Sequence, residues 1–125
     1  MSLINTILSK IESYHEDRHL NFFIMEPEDY PCFLQFAKLG EDYLLDLPAS
    51  NFFEDEMVEE LFTLLEKKYR KEVKSLKDEP KAQRVTSYQI RFTEQEMNKM
   101  CYITKDIFTT ILLVDEDSKL EISMR

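Results

Sequence analysis

The sequence contains a single glycine, Gly40, among its 125 residues. A loop that wraps its backbone around a phosphate needs several residues without a Cβ atom, because the chain approaches the ligand closely and adopts positive φ angles. One glycine cannot supply such a loop. The sequence therefore excludes dinucleotide-binding folds with glycine-rich turns, Walker-type nucleotide sites and the nucleophile elbow of hydrolases.

Length and composition predict a single domain that spans residues 1–125. A mixture of 43% apolar and 33% charged residues is typical of a globular chain of this size. The apolar run at residues 111–114 is far too short to cross a bilayer, and the N-terminus lacks the pattern of a secretory signal. Cys32 and Cys101 both lie in apolar periodic segments, which favours buried, reduced thiols over a disulfide. We therefore expect a cytoplasmic protein without membrane contact.

Hydrophobic periodicity predicts an α+β fold with the element order α-β-β-β-α-β(-β)-α. Consecutive strands with short connections pair antiparallel, so we expect a two-layer structure with helices on one face of the sheet. Whether residues 72–77 continue the second helix or begin a strand is left open, and a further strand at the C-terminus fits the alternation of Leu120, Ile122 and Met124. The predicted helices cover residues 2–14, 51–69 and 93–113, and the predicted strands cover residues 20–25, 32–37, 43–47 and 85–92.

Three local signals position these elements. Gly40 lies between two apolar runs and predicts the turn of a β-hairpin. Asn51 followed by Glu54, and Thr93 followed by Glu96, have the spacing of capping boxes at the starts of the second and third helices.

The net charge of −9 narrows the range of partners. A surface this negative repels phosphate backbones, so we expect no nucleic acid partner, and it attracts a basic protein or segment. The alternative is that the acidity only keeps the domain soluble. The second predicted helix is acidic in its first half, where Asp55 and Glu59 lie, and basic in its second half, a distribution that the helix macrodipole also explains.

Residues His15–His19 (sequence HEDRH) have the letter pattern of a zinc-protease helix, in which two His bind zinc and Glu16 acts as base. The two intervening residues are charged, whereas that motif keeps uncharged residues there, and the sequence has no third His to complete the site. A Cys–His catalytic pair requires a partly exposed thiol in electropositive surroundings, and both cysteines lie on apolar faces. We therefore expect no enzymatic activity, no catalytic residues, no metal site and no cofactor.

The predicted strand at residues 20–25 carries large side chains on both faces, although a strand covered on one face alternates. Either a second subunit buries the other face, or that face binds a partner. We favour the binding surface and assign partner contacts to Phe22, Phe23 and Met25, with the acidic residues Asp55 and Glu59 on the second helix.

The central part of the chain resembles the type III secretion chaperones. The resemblance covers residues 31–37 (PCFLQFA), residues 44–50 (LLDLPAS) and the long helix with Leu61, Leu64 and Leu65. It implies a dimer without enzymatic activity that holds a secreted effector in extended form along sheet surfaces and edges. An immunity protein that neutralises a secreted toxin is the alternative, and a zinc-dependent hydrolase is the alternative from another class.

Overall fold

The computed structural model describes residues 3–16, 22–77 and 85–124. Within these ranges the chain forms three α-helices and six strands. In chain order they are α1 (Leu3–Glu16), β1 (Phe22–Pro27), β2 (Leu34–Leu39), β3 (Asp42–Pro48), α2 (Asp55–Thr63), β4 (Lys74–Lys77), β5 (Val85–Phe92), α3 (Met97–Asp106) and β6 (Leu120–Met124). Short 3-10 turns at Ala49–Asn51 and Glu94–Glu96 precede α2 and α3.

All six strands of the described chain form one antiparallel sheet with the order β4-β5-β3-β2-β1-β6. This confirms the predicted α+β class. The segment 72–77, whose sequence fits either a helix or a strand, contains strand β4, and the alternating residues at the C-terminus form strand β6. The described part of the strand predicted at residues 20–25 is β1, which extends beyond the prediction to Pro27; residues 20 and 21 lie outside the described residues.

One apolar core fills the space between the sheet and the helices. Alternate residues of β1, β2, β3 and β5 point into it, and the rings of Phe23 and Phe36 stack there with their centroids 5.0 Å apart. Because inward and outward residues alternate along these strands, the period of two in the sequence is explained by burial of one face. Buried helix residues on the opposite side of the core are Leu3, Ile7, Ile11, Leu61, Leu65, Met100, Ile103, Ile107, Phe108 and Ile111.

Two of the three local predictions are confirmed. Gly40 turns the β2–β3 hairpin with a φ of 63°, a conformation that glycine adopts without steric cost. Thr93 and Glu96 form the capping box before α3, in which Glu96 Oε1 accepts a hydrogen bond from the backbone N–H of Thr93 at 3.0 Å.

The predicted capping box at Asn51 is wrong. Helix α2 begins at Asp55, and the side chain of Asn51 is turned toward the residue before β2. Its Oδ1 accepts from the backbone N–H of Phe33 at 3.1 Å, and its Nδ2 donates to the carbonyl oxygen of Phe33 at 2.7 Å. Asn51 is 4% exposed, so this pair of bonds satisfies backbone groups that water would otherwise have to reach.

Helices α2 and α3 end in the same way. Each continues into a π-helical turn, Leu64–Lys68 after α2 and Ile107–Ile111 after α3. A residue with positive φ then reverses the chain, Arg70 at 55° and Leu113 at 57°. The second helix therefore ends at Lys68 and does not run on to residue 76.

The buried carboxylate of Asp106 joins these two helices, which run antiparallel. Its Oδ2 accepts hydrogen bonds from Lys68 Nζ, at 2.9 Å, and from the hydroxyl of Tyr69. Burial raises the pKa of Asp106, but the bonds from Tyr69 and Lys68 outweigh it and hold the pKa below its ordinary value. The π-helical turn that follows α2 is thus fixed to Asp106, the last residue of α3, by a charged contact.

Replacing Asn51 with Asp distinguishes the observed contact from the predicted cap. Asp is as good an N-cap as Asn, so a cap would tolerate the change. The contact with Phe33 loses its Nδ2 donor and gains a negative charge beside a carbonyl oxygen, and we expect the unfolding free energy to fall by about 2 kcal/mol. Urea denaturation measures the loss. The control Asn98→Asp, on the exposed surface of α3, should change it by less than about 0.5 kcal/mol.

Replacing Asp106 with Asn should lower the unfolding free energy by about 2 kcal/mol near neutral pH, because the ion pair with Lys68 is lost and the Tyr69 hydroxyl donates to a neutral amide instead of a carboxylate. The folded pKa of Asp106 lies below the unfolded value of about 3.9, so its stabilisation is complete above that value and is lost as the pH falls through the folded pKa. Denaturation at a series of pH values should therefore show the two proteins converging below about pH 4. A difference that persists unchanged in acid contradicts the assignment. Glu66→Gln, an exposed change, serves as the control.

Candidate functional site

A groove of about 580 Å³ opens at one end of the helix layer, between the start of α2 and the end of the third helix. Its volume lies in the range of ligand-binding clefts. Three segments meet there: the β1–β2 connection, the turn that precedes α2, and the chain around Leu113. The apolar side chains that line it belong to Tyr30, Pro31, Cys32, Phe53, Met57, Ile111, Leu112 and Leu113.

Two contacts hold the connections together around this groove. Asn51 binds the backbone of Phe33, which joins the turn before α2 to the β1–β2 connection. The backbone N–H of Asp115 donates to the hydroxyl of Tyr30 at 3.2 Å, which joins the same connection to the chain after the third helix. The groove is therefore assembled from fixed segments that are distant in sequence.

Phe53 and Leu113 are the two most exposed large apolar side chains of the described residues, at 80% and 76%. Both border the groove. Phe52, the neighbour of Phe53, is buried and meets the ring of Tyr88 edge-on with the centroids 5.6 Å apart. Burying one side chain of this size stabilises a complex by about 1.5–3 kcal/mol. Two such exposed side chains beside one groove therefore favour binding of an apolar partner surface at this end of the molecule.

The position of Leu113 follows from how its helix ends. Its positive φ turns the chain so that Val114 enters the core at 3% exposure, while the Leu113 side chain points to solvent. A residue other than glycine in this conformation costs about 1–2 kcal/mol. Arg70 adopts the same conformation after α2, so the backbone strain is common to both helix ends. Leu113 differs from Arg70 in that it exposes an apolar side chain beside the groove.

Acidic side chains form the rim of the groove along α2. Glu54, Glu56 and Glu60 line it, and all three are exposed. Asp55 and Glu59, predicted as partner contacts, are exposed on the same helix, and Glu59 lies with Glu56 and Glu60 on an adjoining depression. Neither Asp55 nor Glu59 lines the groove itself, so their role as partner contacts stays a prediction.

The three predicted contacts on β1 do not form one surface. Phe23 and Met25 are 1% and 0% exposed and lie in the core, so the expectation that they contact a partner is wrong for the folded domain. Phe22 is half-buried on the opposite face of the sheet, and Ile24 on the same face as Phe22 is buried at 9% exposure. The reason is that Phe23 and Met25 point from β1 to the face of the sheet that the helices cover, in the same core as Phe36.

The thiols of Cys32 and Cys101 are in surroundings that disfavour the reactive thiolate form. Burial raises the pKa of Cys32 to about 11. Burial, followed by the charge of Glu12, raises the pKa of Cys101 to about 12. Both cysteines are unpaired, and neither carries much thiolate near neutral pH. Cys32 therefore contributes to the groove as an apolar side chain.

The side chains of His15, Glu16 and His19 lie outside the described part of the chain, so the zinc-protease pattern has no geometry here. Among the described residues, no group of three or more His, Cys, Asp or Glu side chains could hold a metal ion. None of the helices within those ranges is long and apolar enough to cross a membrane.

No protein-family model, curated protein or solved structure matches this chain. The resemblance to type III secretion chaperones accordingly stays a prediction.

The predicted second helix, residues 51–69, includes Phe53, and the predicted third helix ends at Leu113, but neither was identified from the sequence as a surface residue. A signal was present in each case. Two adjacent Phe residues at 52 and 53 cannot both face one core from a single turn, and the four consecutive apolar residues at 111–114 cannot all share one face of a helix.

Replacing Leu113 with Gly should raise the unfolding free energy by about 0.5–1 kcal/mol, because the relief of strain exceeds the added entropy of the unfolded chain. Arg70→Gly is the matched control at the other helix end and should stabilise by a similar amount. Thermal or urea unfolding measures both changes. Destabilisation by Leu113→Gly alone would mean that the exposed side chain makes contacts that hold the fold together.

Proposed function

We propose that this protein is a non-enzymatic binding module that holds or masks another polypeptide at the groove. The observation that carries the proposal is the exposure of Phe53 and Leu113 on its two sides, at 80% and 76%. Apolar side chains that project from a rigid surface act as anchors in protein interfaces, where they become buried on binding. A small ligand, in contrast, is usually enclosed by its cleft.

The proposed role is that of a secretion-chaperone-like protein in the cytoplasm, with an effector or toxin as partner. The antiparallel sheet supports this role, since its outer strands β4 and β6 offer edges to which an extended chain can add. A homodimer is part of the same proposal. An immunity protein is the second role, and it differs in requiring a folded toxin domain, whereas a chaperone binds a short unfolded fragment of its partner.

The experiment compares two double variants as baits in affinity capture from the native cell, followed by mass spectrometry. Phe53→Ser with Leu113→Gly removes both anchors. Tyr102→Ser with Arg70→Gly makes matched changes, since Tyr102 is 51% exposed and lies outside the groove. We expect one partner to be captured by the wild type and by the control, and to be reduced at least about tenfold with the groove variant, which corresponds to about 1.4 kcal/mol.

Equal capture by both variants contradicts the proposed site. If the partner depends on the groove, its unfolded fragments and its folded domain are then tested separately. Binding of a fragment supports the chaperone role, and binding of the folded domain alone supports the immunity role. The unfolding free energy of each variant shows that a loss of capture does not reflect a loss of fold.

A further inference from the structure

The acidic rim of the groove contains more carboxylates than the dipole at the start of α2 can explain. Glu54, Asp55 and Glu56 lie at the start of α2, where the macrodipole favours negative charge. That effect fades within one turn, so it gives no reason for the carboxylates of Glu59 and Glu60. Both continue the acidic surface along the second turn of the helix.

The carboxylates of this helix repel one another. Glu56 and Glu60 are four residues apart, as are Asp55 and Glu59, and like charges at this spacing destabilise a helix. None of the ion pairs between described residues includes them, whereas Lys68, Lys71 and Lys105 are paired with carboxylates elsewhere. A positive charge brought to this surface would relieve the repulsion and gain new contacts.

A second acidic depression adjoins the groove and shares the side chain of Tyr30 with it. It is lined by Glu28, Asp29, Asp115 and Asp117, together with one lysine, Lys119. Negative charge therefore flanks the apolar surface on both sides. A bound segment that contacts Phe53 and Leu113 therefore lies between two negatively charged surfaces.

Resting on the proposed function, we propose that the segment bound at the groove is cationic, with a bulky apolar side chain packed against Phe53 and Leu113 and with Lys or Arg residues facing Glu56 and Glu60. A second copy of this chain is disfavoured as occupant of the groove, because an acidic chain does not supply the positive charge that the rim attracts. The proposed homodimer would therefore use a different surface. A polypeptide that carries positive charge is attracted by the same field.

The spacing of the rim suggests the form of the segment. Glu56 and Glu60 are separated by four helical residues, which is about 6 Å along the axis. Alternate residues of an extended chain are about 6.6 Å apart and point to the same side. An extended segment along α2 therefore places basic residues at positions i and i+2 opposite the two carboxylates, with an apolar anchor on the groove.

The test uses three synthetic fluorescent peptides of equal length. Each has one central Phe, flanked by Arg residues at alternate positions, by Ser at the same positions, or by Glu. Fluorescence anisotropy measures their affinities for the purified full chain. We expect the Arg peptide to bind about fivefold to tenfold more tightly than the Ser peptide at low salt, and the Glu peptide more weakly than both. This preference should disappear toward about 1 M salt, where screening acts within about 3 Å.

Matched variants separate the rim from the overall charge. The pair Glu56→Gln and Glu60→Gln should remove most of the preference for the Arg peptide. Glu66→Gln with Glu121→Gln removes the same charge from exposed positions outside the groove and should leave the preference in place. Equal effects of the two pairs overturn the proposal, as does the absence of Arg-peptide binding up to millimolar concentration.

The outcomes also distinguish this inference from the proposed function. If all three peptides bind alike, and lose binding with Phe53→Ser and Leu113→Gly, the groove binds polypeptides but does not select positive charge. If the variant-dependent capture from the native cell fails, the proposed function fails irrespective of the peptide result.

Discussion

Burial of one face of the sheet is the constraint on which the rest of the structure depends. The inward side chains of the central strands, among them Leu34, Phe36 and Leu45, are fully removed from water by the helix layer. A sheet with one apolar face has to be covered in this way, and the connections between strands and helices are then determined by which elements reach the same core. Helix α1 packs against α3, and α2 contacts the π-helical turn at Ile107–Ile111 that follows α3. The groove opens where this layer ends.

The contact of Asp106 with Lys68 and Tyr69 fixes the position of the second helix along the third. Apolar packing alone tolerates some sliding between neighbouring helices, whereas a buried carboxylate requires its donors at fixed positions. With the end of α2 held at Asp106, the start of α2 lies beside the end of the third helix, and the groove forms between them. The contact of Asp106 at one end of α2 thus helps to position the groove at the other end of α2.

The scarcity of glycine has its clearest effect at the helix ends. Arg70 and Leu113 adopt positive φ angles that glycine would adopt without strain, as does Asp29 in the β1–β2 connection. At Leu113 the consequence is a large apolar side chain that points to solvent while Val114 fills the core. The feature that excludes phosphate-binding loops at the level of sequence therefore also shapes the surface that we propose as the binding site.

The sequence by itself determined the class of fold, the positions of most elements, the Gly40 turn and the Thr93 capping box, because these depend on periodicity and on neighbours within a few residues. It also indicated the acidity that we assign to the rim. Tertiary structure decided the rest. Asn51 does not cap the second helix, because its side chain instead bonds the backbone N–H and C=O of Phe33, eighteen residues away. Phe23 and Met25 became core because the helices cover the face of β1 to which they point, and a strand with large side chains on both faces does not specify locally which face that will be. The groove likewise needs three distant segments to meet, and only the folded chain brings them together.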